Sequence, residues 1–146
     1  QPLNPSTPQP LNPSTPQPPN MKRIYLAGRI TGKNYRGVHA EFTKAKHFLL
    51  SQGFDEVVSP VEIVPPGTGW TDSMLILLPY LATCNYMALL PGYEHSNGAM
   101  CEYYFARGME NEGKLHAIIH LQIEKLRASA QTLTNIETSG TLKTAI

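Results

Sequence analysis

Val38, Phe42, Ala45 and Leu49 recur at i, i+4, i+7 and i+11, the spacing of one stripe along an α-helix, with Gly53 placed to end it. Ahead of that stripe, Arg23-Ile-Tyr-Leu-Ala27 is a short β-rich run that stops at Gly28, as a buried strand of a parallel sheet would. Glu56-Val-Val-Ser59 reads as a second strand closed by Pro60, and Pro65 to Gly69 as a rigid loop. Thr71 is placed to cap a helix whose apolar stripe is Met74, Leu77, Leu78 and Leu81, with a kink or an early end expected at Pro79. Tyr86 to Leu90 is a third strand, stopped by Pro91-Gly92. Ser96 or Asn97 then caps a helix through about Gly108. Leu115 to Leu121 gives a fourth strand before an amphipathic helix from about Gln122 to Leu133. Strands and helices alternating at this spacing predict an α/β, flavodoxin-like or Rossmann-like parallel sheet of four to five strands with helices on both faces. Ligands of such sheets bind beyond the carboxyl ends of the strands, at the switch in strand order.

Composition divides the chain unevenly. Residues 1–20 hold 8 of its 13 prolines and none of its 23 charged side chains, and QPLNPSTP occurs there twice in succession. Two copies are too few for a solenoid, so the segment is expected to be extended and disordered, and Met21 then opens the first strand. It reads as a tag, an upstream translated repeat or a mis-set start, ahead of one domain over residues 21–121 and a C-terminal helix and tail over 122–146. Removing residues 1–20 is expected to move the Tm by less than about 2 °C, because they have almost no apolar surface to bury. A larger fall would show that the segment docks on the domain.

Twelve basic against eleven acidic residues leave a net charge of +1, which gives no field to gather a nucleic-acid polymer or an anionic membrane. No apolar run is long enough to span a bilayer, and two cysteines make no disulfide framework, so the expected setting is soluble and cytoplasmic. Small ligands and proteins remain as partners, and neither a cofactor nor a metal is expected.

Chemistry concentrates in two loops. Gly28-Arg29-Ile30-Thr31-Gly32-Lys33 follows the first strand, with glycines that let backbone approach a ligand and donors suited to an anion. It is neither a Walker A loop nor a GxGxxG fingerprint, and a strand-to-helix turn with solvated charges reads equally well. Ser96-Asn97-Gly98-Ala99-Met100-Cys101-Glu102 follows the third strand. Ser96 and the free N–H groups of the first turn form an anion site, and Gly98 keeps it open. Glu102 lies about 9 Å further along the axis at ~1.5 Å per residue, and its side chain leans back toward that anion. The helix dipole favours its ionised form. A carboxylate there can attack the anomeric carbon of an anchored sugar. An exposed glutamate early in a helix is the plainer alternative.

Tyr25-Leu-Ala-Gly28, Trp70 to Met74, Leu89-Leu-Pro-Gly92 and Ser96-x-Gly98-x-x-x-Glu102 running into Ala106 together resemble the nucleoside 2-deoxyribosyltransferase superfamily, most of all its small, often phage-borne branch. The likeness covers roughly residues 21–115. It implies a flavodoxin-like sheet, Glu102 as a nucleophile with Tyr25 near it as the catalytic pair, and a homo-oligomer. The substrate-binding residues would be Gly28, Arg29, Ile30, Thr31, Gly32, Ser96, Asn97 and Gly98. Ser96, where the transferases carry Asp, resembles the deoxynucleoside 5′-monophosphate N-glycosidases, whose Ser there holds the 5′-phosphate. The implied ligand is a deoxynucleoside or deoxynucleotide. The chain departs from the family pattern at Leu77, where an Asp handles the proton of the leaving base, and at Asn85, usually Asp. Leu cannot carry a proton, which leaves Asp72, Glu94 or water to help the base depart. The rival reading is therefore a catalytically impaired nucleotide-binding module of the same fold.

Weaker candidates are read structurally. His116 and His120 on a strand stand roughly 13 Å apart at ~3.3 Å per residue, too far to share a metal. Cys84 and Cys101 read as buried thiols. Tyr103, Tyr104 and Phe105 read as core or subunit-contact rings, one of which could face a base. Trp70 reads as a packing residue that could instead stack on a base.

Overall fold

The computed structural model describes residues 20–128. Four parallel strands, β1 (Arg23–Ala27), β2 (Glu56–Val58), β3 (Tyr86–Leu89) and β4 (Ala117–His120), form one sheet in the order β2-β1-β3-β4. Strand β1 is buried along its whole length and pairs Tyr25 with Val58 on one side and Met87 on the other. The chain leaves β1 toward β2 and later returns to β3 on β1's other side, so the switch in strand order lies between β1 and β3. The α/β parallel sheet expected from the sequence is what the chain forms.

Period-two alternation in β1 divides the core. Ile24 and Leu26 face helix α1 (Tyr35–Ser51), whose buried side chains are Val38, Phe42, Ala45 and Leu49, the stripe read from the sequence. Asn34 caps α1 by accepting from the N–H groups of Arg36 and Gly37, and Gly53 follows its end at φ +95°, a left-handed conformation that glycine adopts without strain. Tyr25 and Ala27 face the opposite layer, where α3 (Trp70–Ala82) and α4 (Asn97–Asn111) pack through Met74, Leu77, Leu81, Ala99, Ala106 and Met109. Residues 123–128 open a last helix, and Leu126 joins the α1 side of the core. The remainder of the expected C-terminal helix lies outside the described residues, as does the proline-rich repeat up to residue 19.

Several local expectations are corrected. Helix α2 (Pro60–Ile63) stands where the sequence read only a strand-ending proline. Four residues carry no apolar period, and Pro60 at the first position brings a preset φ. Helix α3 begins at Trp70 behind Gly69, not behind Thr71. The Gly69 carbonyl accepts from Ser73 N–H at 2.9 Å, with no capping side chain to mark the start. Pro79 does not end α3, which runs on to Ala82. Residues 75 and 79 are both exposed, so the carbonyl that loses its partner has access to solvent. Tyr104 and Phe105 are not core rings: they are 67% and 40% exposed.

Asn85 acquires a structural explanation. Its carbonyl oxygen accepts from Arg23 N–H and its amide donates to the Met21 carbonyl, both at 2.8 Å, which ties the start of β1 to the turn before β3. A carboxylate could not make the second bond. Arg23 itself is buried, hydrogen-bonds the Thr83 hydroxyl and lies 3.0 Å from Glu56.

Candidate active site

A cavity of about 800 Å³ opens beyond the carboxyl ends of the strands. Its walls come from the loop after β1 (Gly28 to Lys33), the segment from Pro60 to Thr68 after β2, the inner side of α3 and the start of α4. Gly28, Arg29, Ile30, Thr31, Gly32, Ser96, Asn97, Gly98 and Glu102 all line it. The two loops, far apart in sequence, thus meet because β1 and β3 are neighbours.

Glu102 is 3% exposed, which removes the reading of an ordinary surface glutamate. The Tyr25 hydroxyl, reaching up from the middle of β1, donates to Glu102 Oε1 at 2.8 Å. Tyr25 is wholly buried and does not line the cavity. It therefore lies behind Glu102 and holds the carboxyl through its hydroxyl. Burial pushes the Glu102 carboxyl up to about 8, and the tyrosine hydrogen bond offsets only part of that shift. The dipole argument from sequence, which favoured the ionised form, is outweighed by desolvation. Burial, with the adjacent carboxyl, raises the Tyr25 phenol well above its ordinary range, so it stays a donor.

Ser96 is the N-cap of α4, in extended conformation, and its hydroxyl oxygen accepts from Ala99 N–H at 3.2 Å. The hydroxyl proton is left for a ligand, as are the N–H groups of the first turn that precede any intrahelical partner. A side chain at Gly98 would come within 3.4 Å of Met74 and 3.7 Å of the Trp70 indole nitrogen, filling the space between the starts of α3 and α4. Gly28 has a different role from the one expected. A Cβ there would stand 2.8 Å from Leu90 and 3.1 Å from Phe42, so this glycine permits core packing under the loop. Gly32, at φ +80°, turns the loop beside the Arg29 guanidinium.

Leu77 is 3% exposed and belongs to the α3–α4 core, yet it also reaches the cavity wall. Asp72 and Glu94 do not line the cavity. Glu94 instead lies 3.8 Å from His95 on the exposed turn Tyr93–His95. Trp70 is 54% exposed at the cavity, an accessible ring and not a buried packing residue. Sequence reasoning missed Tyr35, Ser73, His95 and the Val61 to Pro66 wall. The signal for that last wall is topological: a loop after β2 must border one after β1 when those strands pair. His116 and His120 contact different rings in tilted arrangements, Tyr86 at 5.4 Å and Tyr93 at 5.7 Å. Cys84 is buried, which pushes its thiol up to about 12, while Cys101 is only partly covered. Among the described residues no helix is long and apolar enough to cross a membrane.

Fold and cavity define a single-sheet parallel α/β domain with a ligand-sized site at its topological switch point and one buried carboxyl on the wall. The chain matches, over residues 22–112, the family described as a domain of unknown function (DUF4406), and it belongs to that family. No curated protein and no solved structure matches it.

Proposed function

We propose that the protein cleaves the N-glycosidic bond of a deoxynucleoside 5′-monophosphate through a covalent glycosyl ester on Glu102. The observation that carries this reading is a single one: a carboxyl held rigidly by a buried tyrosine, on the wall of a nucleotide-sized cavity, two turns or less from a capped helix start. Ser96 and the first N–H groups of α4 bind the 5′-phosphate, with Arg29 across the cavity. That anchoring sets the sugar's anomeric carbon against Glu102 Oε2, while Oε1 stays with Tyr25. Attack forms the C1′–O ester as the C1′–N bond breaks, the base leaves with the electron pair and takes a proton from water, and a second water hydrolyses the ester to regenerate the carboxylate. The resemblance to the nucleoside 2-deoxyribosyltransferase superfamily supports the same assignment, including Ser96 in place of the transferases' Asp.

Incubation with a panel of deoxynucleotides at pH 8, followed by chromatography of free base, tests the activity. Release from one or more members is expected. Binding of the panel with no release would make the protein the nucleotide-binding module that Leu77 otherwise suggests.

Phosphate recognition has its own test. Ser96→Asp is expected to weaken monophosphate binding at least tenfold and to leave the deoxynucleoside within about threefold, because like charge meets the phosphate alone. Calorimetric titration of both ligands reads the ratio. Equal affinity of the unaltered protein for nucleoside and monophosphate would remove the phosphate assignment.

A further inference from the structure

Breaking an N-glycosidic bond normally requires a proton for the departing base, and the cavity supplies little to give one. Among the described residues its titratable lining is Arg29, Lys33, Tyr35, His95 and Glu102. Glu102 is committed to the anomeric carbon, Arg29 is assigned to the phosphate, and Lys33 is paired with Glu41 at 3.4 Å. His95 is 69% exposed on the turn beside Ser96, at the phosphate end, and Tyr35 is 42% exposed at the lip. Much of the remaining lining is apolar, with Val61, Val64, Pro65, Pro66, Met74 and Leu77, and Thr68 and Ser73 add only hydroxyls, which are poor acids. Trp70 adds an accessible indole, a ring whose face attracts cations.

Resting on the reading above, we propose that the site is matched to N-glycosides whose base is an aromatic cation, such as an N-alkylated purine or a pyridinium ring. Such a base leaves without a proton. The electron pair of the C1′–N bond passes into the ring and cancels its positive charge, Glu102 forms the C1′–O ester, and a neutral base departs. Water then attacks C1′, the ester bond breaks to regenerate the carboxylate, and the surplus proton goes to solvent. One water is consumed and one proton released, and no oxidant or reductant enters. Two features of the site suit a cation. The indole of Trp70 gives it a face to stack on, and its charge beside Glu102 favours the ionised, attacking form of a carboxyl that burial otherwise keeps protonated.

The test compares 2′-deoxyguanosine 5′-monophosphate with its N7-methyl derivative at pH 8, using the full chain and subtracting the spontaneous loss of base from each. Without a proton donor, the protein accelerates both over their spontaneous rates by similar factors, so the methylated nucleotide is released at least 100-fold faster in absolute terms. A protein with a positioned acid would accelerate the neutral nucleotide ~10² to 10⁴ more than the methylated one, each relative to its spontaneous rate. An acceleration more than tenfold greater for the neutral nucleotide overturns the cationic-substrate proposal and leaves Glu102 as nucleophile. Release of neither nucleotide above the Glu102→Gln background overturns both readings together. Trp70→Ala supplies a second arm: it is expected to slow release of the methylated nucleotide more than that of the neutral one, and an equal effect on both would remove the indole from cation recognition.

Discussion

Glu102→Gln is expected to lower base release by at least 10³-fold while nucleotide affinity stays within about tenfold, because an amide keeps the shape and loses the nucleophile. The amide oxygen can still accept from Tyr25, so the site should remain assembled. The same group sets the pH profile of the unaltered protein. With the carboxyl raised to about 8, the attacking carboxylate is the minority form at pH 7. kcat/KM is expected to rise nearly tenfold per unit up to pH 7 and to level off above 8, giving a gain of roughly 50-fold between pH 6 and 8. Stability runs the other way. A carboxyl whose folded value lies above its unfolded one binds more protons in the folded state, so its contribution falls as pH rises from about 4.5 toward 8. Glu102→Gln does not titrate and escapes that loss. It should therefore be more stable than the unaltered protein at pH 8.5 by on the order of 4 kcal/mol relative to their difference at pH 5. Thermal melts at the two pH values read this directly. A profile flat from pH 6 to 9 would mean that Glu102 is not the titrating nucleophile.

Leu77→Asp carries the second large effect. The leucine is both core and cavity wall, so its replacement loses contacts with the α3–α4 layer and sets a carboxyl in an apolar setting. A stability loss of about 2–4 kcal/mol is expected from the lost packing and the poorly solvated group. Burial will also raise the new carboxyl's pKa and keep it protonated, which is the form that donates. Release of an uncharged base should then rise ~10²-fold or more, while release of a cationic one stays within several-fold. Leu77→Asn separates the two contributions, because it shares the stability loss and has no acidic proton. Equal rates for the Asp and Asn variants on an uncharged base, both folded, would show that residue 77 does not address the leaving group.

How far the sequence carried these conclusions varies by element. The α1 stripe and β1 were read correctly, since apolar spacing records burial and both elements are buried on the positions that spacing marks. The start of α3 was misplaced because Gly69 caps through backbone alone, and α2 escaped because one turn carries no period. For Glu102 the spacing from Ser96 placed it near an anion site, but its burial and its hydrogen bond come from Tyr25, 77 residues away. The residues themselves gave no route to that pairing, and only the family resemblance set Tyr25 beside it. Desolvation, which decides the protonation of Glu102, is likewise a property of the folded surroundings. Asn85 reads as a departure from an acidic pattern, and its two backbone bonds, invisible in the sequence, make it a clamp on β1.

The most direct test of Glu102 as nucleophile is a mass measurement on the protein itself. Acid quenching during turnover of a deoxynucleotide, followed by peptide mapping, is expected to show a deoxyribosyl 5′-phosphate adduct on the peptide containing Glu102. Base release with no adduct there at any quench time, or an adduct confined to another residue, would contradict the account.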